Sequence, residues 1–381
     1  MNPLFDLLLN LLRIKKGICI YFTVTLLNSL TITLKLNAFN PFDNTITGVD
    51  ANNIPITINI QDIVSIKFSI GRCCKTFAYV TNLGSSDVSV IDTSTNTVVD
   101  TIHIGPAPIS IAATPDGSRI YVTQLSIPEV SIIDTATNTV VDTISLGPVG
   151  GALGITITPD GSRAYVYFNV NSFGIYVIDT ATNTIIDTVT PPVIAFGMAI
   201  TPDGSRVYAT DIDPGSSKVL VINTTTNTVT NTIPSTPNTI TPLGIAITPD
   251  GLRAYVTNYG LSNVSVIDTT TNMIIDVIHV GTAPEGIAIT PDGSRVYVST
   301  VNNVIVINTS TNNVIATIPN LNGSTLFAAN EIAITSDGSR AYVANQANNT
   351  VSVINTSTNA ITNTIQVGTT PNGIALINKC T

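Results

Sequence analysis

The side chains able to do acid–base, nucleophilic or metal chemistry are few in this chain. Its 381 residues include two histidines, four cysteines and no tryptophan. His103 and His279 sit in equivalent segments, TIHIG and VIHVG, while the corresponding places elsewhere hold residues such as Ser145 and Gln366. No multi-histidine site is expected, and with it goes the usual raw material for a haem or His-rich metal centre. No G-x-S-x-G elbow, Cys–His arrangement or Gly-rich phosphate loop stands in a plausible setting. Asp211, Asp213, Glu285 and Glu331 could hold a cation through oxygen ligands, but their spacing matches no calcium loop. The expectation is therefore no metal, no cofactor and no catalytic set.

Other charged residues recur too regularly to be a site. Asp92, Asp134, Asp179 and Asp268 share one slot with Asn223, Asn308 and Asn355. A place that takes either Asp or Asn accepts hydrogen bonds in a turn and does not act as a base. Arg119, Arg163, Arg206, Arg253, Arg295 and Arg340 each follow an Asp-Gly turn. That position predicts a structural pair or a contact between repeats, not an anion-binding ring.

These recurrences come from a unit best seen in 243–281, LGIAITPDGLRAYVTNYGLSNVSVIDTTTNMIIDVIHVG. It predicts strands over 244–248, 253–257, 264–268 and 273–278, each short and rich in β-branched residues. Pro249-Asp250-Gly251 and Thr269-Thr270-Thr271-Asn272 supply turns, the second ending in a residue that accepts left-handed backbone. The unit is a four-stranded antiparallel meander. Asp-Gly turns at Asp116, Asp160, Asp203, Asp250, Asp292 and Asp337 are 44, 43, 47, 42 and 45 residues apart, a β-propeller period. Tyr79, Tyr121, Tyr165, Tyr208, Tyr255, Tyr297 and Tyr342 mark seven second strands, and the T-x-T-N turn also occurs seven times. The seventh first strand, 373–377, lies at the C-terminus. An open ring would leave two bare sheet edges, so this strand is expected to complete blade one beside 77–82. The predicted fold is all-β: a seven-bladed propeller over 71–381, closed by the C-terminal strand.

With these residues in view, AYVTN at 78–82 and 254–258, flanked by GIAITPDG and VSVIDT, resembles the YVTN-type β-propeller repeat family. The resemblance covers about four fifths of the chain. Blades depart from it at YVTQ (121–124), YVYF (165–168), YATD (208–211) and YVST (297–300). It implies the propeller fold. Similar proteins include surface-layer and envelope-associated binding proteins, so it favours the cell surface, envelope or spore coat over the cytoplasm. Related propellers include lactonases and redox enzymes, and fold analogy does not choose among them.

The first seventy residues differ. Residues 1–16 read as a tail or short helix, and RIKK followed by GICIYFTVTLLNSLTITL imitates the basic and apolar regions of a signal peptide or anchor. From Tyr21, however, Thr alternates with Val, Leu and Ile, and Asn28, Ser29 and Lys35 interrupt the apolar run. A period of two predicts strands and disfavours a membrane span. Strands over 31–39, 45–49, 54–60 and 63–68 follow, giving a small barrel over 17–70. TVTLLNSLTITLKLNAF and IQDIVSIKF loosely resemble the Sm-like or SH3-like barrels of some bacterial surface and spore-coat proteins. The formal charge of −9 is uneven: Arg13, Lys15, Lys16, Lys35 and Lys67 outnumber four Asp in residues 1–71, leaving −10 for the repeats. An acidic ring repels phosphate, so no nucleic-acid partner is expected.

Aligning blade one with the others places Cys73 and Cys74 in the slots of the Pro-Asp turn, and Cys380 in the Gly slot of the same turn. A disulfide between Cys380 and Cys74, with Cys73 as alternate, would then lock the ring.

In a propeller, the loops entering strand one and those joining strands two and three share a face, and variable loops on a rigid scaffold are where ligand sites form. Just before the first-strand glycine slot stand Ile109, Leu153, Phe196, Leu243, Glu285, Asn330 and Asn372, an apolar arc followed by a polar one. Together with adjacent loops this gives a candidate ligand face of Asn82, Phe196, Asp211, Asp213, Asn258, Glu285, Asn330, Glu331 and Asn345. The expected function is non-enzymatic binding or scaffolding towards a protein or surface polymer. The alternative is a lactonase-like hydrolase using carboxylates at the channel mouth.

Overall fold

A computed structural model describes residues 18–26, 31–40, 45–49, 55–59, 63–72, 74–148, 150–170, 172–189, 195–212, 217–234, 241–319 and 331–380. Asp213, Asn330, Cys73 and the 1–16 segment lie outside them, as do the side chains of Cys74 and Cys380. The chain divides into two compact units, 1–75 with 379–381 and 76–378.

In the first unit the alternating Thr and aliphatic residues form strands β1 (Ile18–Leu26), β2 (Thr31–Asn40), β3 (Thr45–Val49), β4 (Pro55–Asn59) and β5 (Ile63–Arg72). They make one sheet in the order β4-β3-β2-β1-β5, with antiparallel neighbours. A β4–β5 ladder, which would close this sheet into a barrel, is not among the described pairings. No described helix is long and apolar enough to cross a membrane.

The second unit is a ring of seven four-stranded antiparallel blades. Blade one holds β6 (Cys74–Asn82), β7 (Asp87–Asp92) and β8 (Thr97–His103), and its innermost strand is the last of the chain, β33 (Pro371–Cys380). Blades two to seven take the intervening strands, within residues 108–366, in sequence order. At the closure the Gly373 N–H donates to Thr81 Oγ1 at 2.8 Å, and Thr76 Oγ1 donates to Asn378 Oδ1 at 2.7 Å. The ring thus closes by hydrogen bonds between the two ends of the repeat array, as the strand offset requires.

The core is not one mass. Among the described residues, the buried hydrophobic side chains of the ring fall into seven clusters, one between each neighbouring pair of blades: Tyr208, Val219, Val221 and Ile233 of blade four pack on Ile245, Ala254, Val256 and Ile267 of blade five. Each blade buries both faces, which explains why second and third strands read as near-continuous aliphatic runs. The fourth strand is the outer edge and is mostly exposed, with Val99 at 51% and Val141 at 53%. In every blade its ladder to strand three slips by one residue, as between Val90↔Asp100 and Ile91↔Val98. A bulge and an edge carboxylate are the devices that discourage edge-to-edge pairing.

Candidate functional site

The letters of the repeated Y-V-T-N stretch each have a place in the scaffold. All seven tyrosines are fully buried and donate to the turn asparagine of the next blade: Tyr79 to Asn138, Tyr121 to Asn183, Tyr165 to Asn227, Tyr208 to Asn272, Tyr255 to Asn312, Tyr297 to Asn359 and Tyr342 back to Asn96. The asparagines adopt φ of 52–55°, and four also donate to a fourth-strand carboxylate of the preceding blade, as Asn312 does to Asp276 at 2.8 Å. The residue that permits the left-handed turn is therefore also the bolt between blades. Burial, the largest cause, holds these phenols above their ordinary pKa, so they remain protonated donors.

The threonine of the stretch joins blades nearer the axis. Thr257 Oγ1 accepts the Gly244 N–H at 2.8 Å and donates to the Glu285 carbonyl at 2.7 Å; Thr81 and Thr210 do the same in their blades. The asparagine clamps strand two to strand three of its own blade. Asn82 Nδ2 donates to Asp87 Oδ1 and Ser89 Oγ, Asn258 to Asn263 and Ser265, and Asn345 to Thr350 and Ser352. In blade four Asp211 takes this slot, fully buried and 3.3 Å from Lys218 directly across the ladder. Thus Asn82, Asn258, Asn345 and Asp211, four of the candidate ligand residues, lie buried inside blades at 0–2% exposure.

The recurrent arginines also link blades. Arg163 donates to the Thr224 carbonyl of the next blade at 2.7 Å and Arg253 to that of Thr309 at 2.7 Å, with Arg119, Arg206, Arg295 and Arg340 equivalent. Turn carboxylates such as Asp203 accept from Thr201 and Ser205, and these hydrogen bonds hold its pKa down at about 2. The Asp/Asn slot likewise accepts from turn N–H groups, as Asp268 does from Thr270 and Thr271 and Asn223 from Thr225 and Thr226. His103 and His279 are exposed on separate outer strands.

The remaining candidates meet on the ring axis. A cavity of about 230 Å³ is lined by the inner strands, and Phe196, Glu285 and Glu331 all border it. Ile109, Leu153, Met198 and Leu243 continue the apolar side; Ser110 and Asn372 join the polar side. The walls approach closely because glycine occupies one slot around them. A Cβ on Gly197 would lie 2.2 Å from the Leu243 carbonyl oxygen, on Gly244 2.3 Å from that of Glu285, and on Gly154 2.6 Å from that of Phe196. Two of the seven blades depart from glycine here, with Ser110 and Glu331, and these two meet. Ser110 Oγ donates to Glu331 Oε1 at 3.3 Å, and the Ile374 N–H donates to Oε2 at 3.0 Å.

Glu331 is half-buried by surface area, yet the surface it exposes faces the cavity. Removal from bulk water raises its pKa to about 7, opposed by those two hydrogen bonds. Glu285 is 3% exposed, and its charge helps raise the Tyr259 phenol, after burial. Asn372 is 1% exposed, and its Nδ2 has no hydrogen-bond partner among the described residues. Ser110 escaped the candidate set although a signal existed: it is the other interruption of the first-strand glycine slot. Among the described residues no group of three or more His, Cys, Asp or Glu could hold a metal ion.

Comparison with known proteins extends the fold but assigns no activity. No family model matches the chain, and no curated protein does. Solved structures do. A functionally unknown protein from Desulfotomaculum acetoxidans superposes with a TM-score of 0.69 at 21% identity, covering 79% of this chain and 98% of its own. Hydrazine synthase from Kuenenia stuttgartiensis gives 0.62 at 19% identity, covering 72% and 95%. The likeness is one of fold. At these identities it carries no function across.

Proposed function

We propose that the ring is a non-enzymatic binding module and that the axial cavity is its site. The observation behind this reading is a division of labour: the repeated Tyr, Thr, Asn and Arg side chains are engaged in bonds that hold blades together, whereas the side chains that differ between blades converge on the axis. A pocket with an apolar wall and a few convergent polar groups is the usual form of a ligand site. The YVTN-like repeat fits this reading, because it builds a scaffold and leaves the lumen free to vary. A protein or surface polymer would supply the group that enters.

The hydrolase reading has one specific observation in its favour: a carboxylate whose pKa of about 7 suits a general base. Against it, Asp211 is paired inside blade four, away from the cavity lining. One experiment tests both readings. The intact chain and Leu243→Arg are screened by thermal shift against small fragments, with δ-valerolactone and p-nitrophenyl acetate assayed in parallel. Fragments that stabilise only the parent, without ester or lactone turnover, are the expected result. Saturable hydrolysis abolished in Glu331→Gln would overturn the binding reading.

A further inference from the structure

The cavity has features that narrow its ligand. Its polar side carries Glu331 and Glu285, and no Lys, Arg or His is among its described lining residues. Glu331 is held by a hydroxyl and a backbone N–H, neither of them a countercharge. Beside Glu331, whose N–H donates to the Asn372 carbonyl at 3.3 Å, the Asn372 amide is 1% exposed and brings no charge to the wall. A carboxylate drawn away from bulk water, with no countercharge beside it, favours a cation as its neighbour. The rest of the wall, Leu153, Phe196, Met198 and Leu243, suits a short branched hydrocarbon. At about 30 Å³ per water, the 230 Å³ cavity takes roughly eight waters or one compact molecule.

We propose that the axial cavity binds a small primary ammonium compound with a short apolar body. The ammonium faces Glu331, and the hydrocarbon lies on the Phe196 and Met198 side. This rests on the axial cavity being the binding site. A free carboxylate on the ligand would be repelled by the polar wall, which favours an alkylammonium or an amino alcohol over a free amino acid. Among the described residues, the titratable groups bordering the cavity are Glu285 and Glu331, with Tyr259 beside Glu285. An ammonium favours ionised Glu331, so binding near neutral pH releases protons.

The probe is leucinol hydrochloride, titrated calorimetrically into the intact chain at pH 7 in two buffers of different ionisation enthalpy. One-site binding with proton release is expected. Glu331→Gln should weaken leucinol at least tenfold and remove the buffer dependence. Glu331→Gly, which restores the residue of most other blades, should do the same and guards against misfolding of the first variant. 4-Methylpentan-1-ol and 4-methylpentanoate should bind at least tenfold more weakly than leucinol. Isoamylammonium, which keeps the ammonium and the branched hydrocarbon, should bind comparably to leucinol. Unchanged leucinol affinity in both Glu331 variants, equal binding of the alcohol or the carboxylate, or no leucinol binding would overturn the proposal. Neutral fragments binding where leucinol does not would remove the ligand class and leave the site; lactone turnover would remove the binding reading itself.

Discussion

Two layers of the ring follow opposite rules. Between blades, Tyr208 and Asn272 or Tyr297 and Asn359 repeat one bond with little variation. Around the axis, equivalent places hold Ile109, Leu153, Phe196, Glu285 and Asn372. The difference is geometric in origin. A ring closes only if each step turns by nearly the same angle, so the contacts that set the angle must be alike. The lumen closes onto nothing and carries no such constraint. Blade three shows how much drift the first layer tolerates: Tyr167 replaces the axial threonine and leaves its hydroxyl without a described partner, while Phe168 replaces the asparagine clamp and stacks on Tyr176 at 3.8 Å between centroids. Aromatic packing there substitutes for hydrogen bonds.

The strongest way to break the contrast is to disturb the layer where the two rules meet. Gly197→Ala forces a Cβ to within 2.2 Å of the Leu243 carbonyl, and backbone displacement of two blades should cost about 3 kcal/mol in urea unfolding. A loss below about 0.5 kcal/mol would show that the axial spacing is soft. Next is Glu331. Its pKa stands near 7 in the folded chain against an ordinary 4.5, so between those values the folded state holds a proton that the unfolded chain has released. Stability therefore falls as pH rises through that window, by on the order of 2 kcal/mol because the lumen partly solvates the carboxylate. Denaturant midpoints at pH 5 and pH 8 should reveal this slope, and Glu331→Gln should flatten it.

Smaller effects sharpen the comparison. Asn312→Gly keeps a residue suited to the left-handed turn but deletes the link to Tyr255 and Asp276, for a loss of about 1 kcal/mol. Asn312→Ala should cost roughly 1 kcal/mol more, from the left-handed backbone alone. If glycine and alanine were equally destabilising, the asparagine would act as a bolt only. The smallest change is expected for Phe196→Leu, which alters the lumen without touching an interblade bond; fragment binding should shift while the urea midpoint moves by less than about 1 kcal/mol.

The repeat made the strands legible. Expected strands at 253–257 and 264–268 appear as Arg253–Asn258 and Asn263–Asp268, because β-branched runs between Pro-Asp-Gly and Thr-Asn turns leave the backbone little choice. Seven units and a misplaced first strand also made the closure legible, since an unpaired edge is costly wherever it falls. The candidate site was legible only in part. Phe196 and Glu285 directly precede a first-strand glycine and Glu331 takes that glycine's slot, and this register survives folding.

Asn82, Asn258 and Asn345 share sequence signals with loop residues, and whether such a side chain faces solvent or turns inward depends on a partner one strand away. The sequence by itself determined the blade, its count and where the ring joins, because those follow from local periodicity. Only the tertiary structure decided that tyrosine and asparagine of successive blades bolt together, and that Ser110 and Glu331, 221 residues apart, meet on the axis. Such contacts depend on the angle between blades, which no single repeat encodes.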